Sequence, residues 1–226
     1  MSEHGIEKVR KINEEWLTEL EKEKDLHGIL MNEPFSDDYW KEKYKIVMCN
    51  LESNFDKQRD KKILDIDIFK EWLEKKVPTI KKTSLFIHCL YNKLHGIDIE
   101  KKQYKKIVND NSLLLNTIKK ITYMNLIKDS NVGGSSFDKG HFKRNFEIPK
   151  ERQNTIDLIE ALSPDILIVT SDGIGLMEQL FKKNFENHIF HHNKTLFVSR
   201  GHPSRCFNDN YIESSIELIM KNLIQK

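Results

Sequence analysis

Four short apolar runs decide what this chain can fold into: YKIVMCN (44–50), KKITYMNLIK (119–128), DILIVTS (165–171) and KTLFVSRGHPS (194–204). None alternates cleanly between apolar and polar residues, so both faces of each are to be covered. Each is too short for a buried helix and reads as a buried strand. The stretches between them carry helical periodicity instead. Residues 5–26 space Ile6, Val9, Ile12, Trp16, Leu17 and Leu20 along one helical face. Residues 57–76 do the same with Ile63, Ile66, Phe69, Trp72 and Leu73, and Pro78 is expected to stop that helix. Further helices are predicted over 83–95 with Gly96 as C-cap, 100–118 with a break and recapping point at NDNS, 149–162 opened by Pro149, 172–185, and 208–225. Strands separated by helices predict an α/β protein, a short parallel sheet of four strands with helices on both sides.

Composition narrows the partners. Over 226 residues the net charge is only +2, with 32% charged and 38% hydrophobic residues. No global basic field marks a nucleic-acid binder, although 101–106 and 139–152 lean basic and offer local faces for phosphate. Cys49, Cys89 and Cys206 are far apart, which argues against a disulfide framework or a cysteine-built metal site and for reduced thiols. His191-His192 lacks a third ligand and reads as a surface turn, so no metal is expected. With no apolar signal core and no run of about 18 apolar residues, the expectation is a cytoplasmic protein without a membrane partner.

In open α/β sheets, ligands bind beyond the carboxyl ends of the strands. The segments to watch are therefore 49–55, 125–144, 170–175 and 199–207. They offer Asn50, Leu51, Glu52, Ser53, Asn54 and Phe55; Asn125 and Lys128; Ser171, Asp172, Gly173 and Gly175; and Gly201, His202, Pro203, Ser204 and Arg205. Asparagine amides carry donors and an acceptor that match the edge of a nucleobase, and Phe55 is able to stack on its face. Each residue also has a plainer reading. Asn50 fits a turn cap, Asn125 a satisfied core amide, Phe55 core packing, and Glu52 a solvated loop acid. Gly173 and Gly175 fit tight helix–sheet packing. A nucleophile elbow, a phosphate-binding P-loop and the dinucleotide-binding glycine spacing are all absent.

Taken in order, three of these segments resemble the uracil-DNA glycosylase superfamily. IVMCNLESNF is similar to that family's first motif, an apolar strand ending in the residue that handles the attacking water. ITYMNLIK resembles its middle strand with a terminal base-reading asparagine, and SRGHPSR its His-Pro-Ser motif. The resemblance spans residues 27–226 and leaves 1–26 as an N-terminal helical extension. It implies a three-layer α/β/α sandwich with a four-stranded parallel sheet. It also implies a monomeric hydrolase that needs no cofactor, flips uracil or a related base out of DNA and cleaves its N-glycosidic bond in base-excision repair. Carried over by position, Asn50 positions the water and His202 stabilises the leaving base. Asn125 reads the base, with Phe55, Leu51 and Glu52 beside it, while Ser204, Arg205 and Lys128 meet DNA phosphates. Two departures stand out. Leu51-Glu52 replaces the usual Pro-Gly or Pro-Tyr, and Arg205 stands where an apolar wedge often begins. They leave open a catalytically altered module on the same fold that binds a base, nucleotide or partner. An unrelated α/β hydrolase of free nucleosides is a third, weaker alternative.

Overall fold

A computed structural model describes residues 2–20, Lys22, 30–32, Pro34, 36–50, 54–55, 62–64, 66–126, 131–132, 149–170, 173–201 and 208–223. In chain order the elements are α1 (Ser2–Leu20), β1 (Leu30–Asn32), α2 (Asp38–Lys41), β2 (Ile46–Asn50), β3 (Asn54–Phe55), β4 (Lys62–Leu64), α3 (Ile66–Glu74), α4 (Pro78–Leu94), α5 (Lys101–Ile107), α6 (Asn111–Ile118), β5 (Thr122–Asn125), β6 (Asn131–Val132), α7 (Pro149–Leu162), β7 (Ile166–Thr170), α8 (Ile174–Phe181), β8 (Ile189–His192), β9 (Thr195–Arg200) and α9 (Asp209–Leu223).

All four expected strands form, as β2, β5, β7 and β9, and they pair in parallel. The sheet nevertheless has five strands, in the order β5-β2-β7-β9-β8, because β8 adds an antiparallel edge. His191-His192 therefore lies in a strand and not in a surface turn. The turn sits one step later, at Asn193, whose φ of 51° suits a tight hairpin. Phe190 of β8 stacks on Phe197 of β9 at 4.4 Å between ring centroids, which ties the edge strand to the sheet.

Alternation along the parallel strands builds two cores. Ile46, Met48, Tyr123, Ile166, Ile168, Leu196 and Val198 face α3, α4, α6 and α9. Val47, Cys49, Met124, Leu167, Val169 and Phe197 face α1, α2, α7 and α8. The result is a three-layer α/β/α sandwich. Helix α1 belongs to the second core, where Val9 and Trp16 are each only 1% exposed. The Trp16 indole N–H donates to Glu151 on α7 at 2.6 Å. Among the described residues no helix is long and apolar enough to cross a membrane.

Several boundaries differ from the sequence reading, each for a local reason. The second strand begins at Thr122, since Lys120 and Ile121 still donate to Thr117 and Ile118 at the close of α6. Pro78 opens α4 at its first turn, where a missing N–H costs nothing, and does not stop the preceding helix. Ile63 lies in the short strand β4, paired in parallel with β1, and not on a helix. The break at 109–112 is as expected: Asp110 caps α6 by accepting from the Leu113 N–H at 2.9 Å. Gly96 takes a φ of 79° just past the C-cap of α4.

Candidate functional site

The carboxyl edge of the sheet carries one polar side chain per parallel strand. Asn50 of β2 is the register partner of Asn125 of β5. Thr170 follows on β7, one step past the Cys49–Val169 pair, and Arg200 of β9 is the register partner of Thr170. By alternation all four share the face of the first core, two residues beyond Met48, Tyr123, Ile168 and Val198. They form a row across the sheet, Asn125, Asn50, Thr170, Arg200. Asn50 is half-buried, whereas Asn125 and Thr170 are each 2% exposed and Arg200 is 8% exposed. Polar residues buried at the ends of otherwise apolar strands are a costly arrangement unless they are satisfied by each other or by a ligand.

Asn50 is held on both sides. The Thr170 hydroxyl donates to its Oδ1 at 2.9 Å, and its Nδ2 donates to the phenol oxygen of Tyr123. Its backbone carbonyl accepts from the Leu126 N–H at 2.9 Å, so β2 and β5 stay in register up to their exits. Burial pushes the Tyr123 phenol well above its ordinary range, and only partly does the Asn50 contact oppose this. Tyr123 is therefore a neutral hydroxyl at any physiological pH. The clamp leaves Asn50 one N–H and one carbonyl lone pair for something else. That suits a bound water or a nucleobase edge.

The exits themselves run together. Beyond Asn50 and Asn125 the chain forms a second, short parallel ladder in which Asn54 pairs with Asn131 and Phe55 with Val132. The segment bearing Phe55 is thus laid beside the segment that follows Asn125. Leu51, Glu52, Lys128, His202, Ser204 and Arg205 lie outside the described residues. On the other side of the row, Tyr211 of α9 receives the Gly201 N–H on its hydroxyl at 2.5 Å. The Arg200 guanidinium lies 5.7 Å from the centre of the same ring. Tyr211 thereby fixes the point where the SRGHPSR segment leaves the sheet.

Of the residues singled out from sequence, Asn50 and Asn125 are brought side by side. Tyr123, Thr170, Arg200 and Tyr211 complete the arrangement and were not anticipated. Tyr123 had a legible signal, since it sits two residues before Asn125 and so must share its face. Thr170 and Arg200 are the last residues of their strands and lie inside the exit segments 170–175 and 199–207, but neither was singled out there. Elsewhere Cys49 and Cys89 are buried free thiols, and burial pushes Cys89 up to about 12, so it is not a nucleophile. The chain matches no protein-family model and no curated protein.

Proposed function

We propose that this chain is a DNA glycosylase-like hydrolase that receives uracil or a related base, flipped out of DNA, at the carboxyl edge of its sheet. The observation that carries the reading is the pairing of Asn50 with Asn125 at the ends of adjacent parallel strands. Two amides side by side supply both donors and acceptors to one planar ligand edge. The backbone ladder through Phe55 continues the same pair of strand exits.

In this reading Asn125 selects the base by its edge. Asn50, with its amide clamped by Thr170 and Tyr123, holds the attacking water against C1′ of the sugar. The C1′–N bond breaks, its electron pair leaves with the base, and the negative charge spreads onto the base oxygens. The water oxygen bonds to C1′, and its proton ends on the departing base or in solvent. Asparagine cannot take that proton itself, so catalysis rests on holding the water and on stabilising the anion. His202 is assigned the second role from the motif, and Ser204, Arg205 and Lys128 the phosphate contacts that position the strand.

The test uses single- and double-stranded oligonucleotides with one uracil, incubated with the protein and then treated with hot alkali. The reading predicts cleavage at the uracil alone, lost in Asn50→Ala and in His202→Ala. No cleavage by folded protein, or cleavage that survives both substitutions, overturns it. Uracil-specific binding without cleavage identifies instead a binding module on the same fold.

A further inference from the structure

Arg200 is a cation at the end of the polar row, and none of the described residues supplies it a counter-charge. Only 8% of its surface is exposed, yet no carboxylate pairs with it among the described residues. Its Nε has no hydrogen-bond partner. What it does have is Tyr211, through a side-chain hydrogen bond and through the ring, whose centre lies 5.7 Å from the guanidinium carbon. A cation–π contact is worth about 0.5–2 kcal/mol, whereas taking an ion out of water costs several kcal/mol even after relaxation. Burial accordingly lowers the Arg200 pKa, although a guanidinium stays charged throughout the physiological range. The stem is not simply lying along the surface with its head in water, since the residue as a whole is covered.

The position of this charge gives it a use. Arg200 is one strand from Thr170 and two from Asn50, and a spacing of about 4.8 Å between strands puts its backbone about 10 Å from that of Asn50. All of them face the same helical layer. A ligand seated on the two asparagines and extending along the strand ends reaches the guanidinium next. We infer that Arg200 binds an oxyanion of that ligand, in a charge-assisted contact that supplies the missing partner of its Nε. The inference rests on the proposed function insofar as the same edge receives a nucleotide. The chemistry that fits is a phosphate oxygen of the backbone or the anionic oxygen of the leaving base; guanidinium meets either through parallel N–H donors.

Binding to the full chain is measured with two probes. One is a short single-stranded oligonucleotide with a tetrahydrofuran abasic analogue, which has phosphates and no base. The other is 5-nitrouracil, a pyrimidine that is anionic at neutral pH. Wild type is expected to bind at least one. Arg200→Gln is expected to weaken that probe about 10–100-fold, the range for hydrogen bonds to charged groups, and Arg200→Lys to recover part of the loss. If the oligonucleotide is the probe affected, the slope of affinity against salt also falls by about 1. If 5-nitrouracil is affected, the oxyanion is that of the base. Melting curves accompany each variant, and should Arg200→Gln fail to fold, Arg200→Lys together with Tyr211→Phe, which keeps the ring, carries the comparison. Equal binding of both probes by wild type and folded variants overturns the inference, as does binding of neither probe by wild type. Uracil excision with Arg200-independent binding would sink this inference and leave the proposed function standing. Arg200-dependent binding without excision would do the reverse.

Discussion

At the scale of single residues, the clamp on Asn50 makes separable predictions. Thr170→Val and Tyr123→Phe each remove one hydrogen bond that fixes the amide and leave the side-chain shape nearly unchanged. The loss of one positioning contact of about 1.4 kcal/mol lowers the rate about tenfold. Single-turnover excision should therefore slow by about that factor while affinity for a uracil oligonucleotide holds. Weakened affinity with an unchanged rate would mean that the clamp serves binding and not water placement. A second prediction uses the chemistry of the two hydroxyls. Both Thr170 and Tyr123 are able to donate, so a carboxylate at position 50 finds two donors ready and remains ionised. Asn50→Asp gains a general base that asparagine cannot be, and the expected effect is a rise in excision rate of about 10²-fold, the low end for such catalysis. Single-turnover rates of the two proteins decide it, and a slower Asn50→Asp would remove Asn50 from the water-handling role.

At the scale of elements, helix α1 is the part whose contribution is easiest to measure. Trp16 is fully enclosed between α1 and α7 and anchored by Glu151. Truncation to alanine is expected to cost about 3–5 kcal/mol, read as a lower denaturant midpoint. A cost below about 1 kcal/mol would mean that α1 adds little to the sandwich. The elements were legible in the sequence to the extent that their burial was two-sided. β2, β5, β7 and β9 come from continuous apolar runs, and each was identified as a strand, although β5 begins only at Thr122. β8 was not, because an edge strand alternates: His191 is exposed while Phe190 is covered, so IFHH lacks the unbroken apolar signature. Ile63 misled for a similar reason, since a three-residue strand offers no periodicity to read. At the site, the two asparagines were legible because amides that close apolar runs are unusual. Arg200 was not, because a terminal arginine reads as the start of a solvated loop until the helix carrying Tyr211 is seen to cover it.

At the scale of the whole molecule, stability should respond to acid through His88. It is buried in α4, with Nδ1 2.8 Å from the Thr117 hydroxyl and Nε2 3.2 Å from Asn92. Burial lowers its pKa below the ordinary histidine value of 6.5, and Asp110 only partly offsets this. The folded state therefore binds this proton less readily than the unfolded chain. Its neutral form is fully favourable above 6.5, and stability is lost progressively as the pH falls below that value toward the folded-state pKa. Denaturant midpoints from pH 7.5 to pH 5 should fall less steeply in His88→Gln than in the wild type; identical slopes would assign the acid response to other groups. The near-neutral net charge of +2 has a consequence for binding as well. Under the proposed function, attraction to DNA comes from local contacts at the sheet edge and not from a global field, so affinity for undamaged DNA should be weak at physiological salt.

The central claim is that water attacks a sugar carbon at this edge and a base leaves intact. Its most direct measurement is product analysis in ¹⁸O-labelled water with a uracil-containing oligonucleotide. The account predicts free uracil in equal amount to new abasic sites, with one solvent oxygen at C1′ of the abasic sugar and no product from Asn50→Ala. Recovery of uracil only within intact oligonucleotide, or of strand breaks that carry the base still attached to sugar, would contradict it.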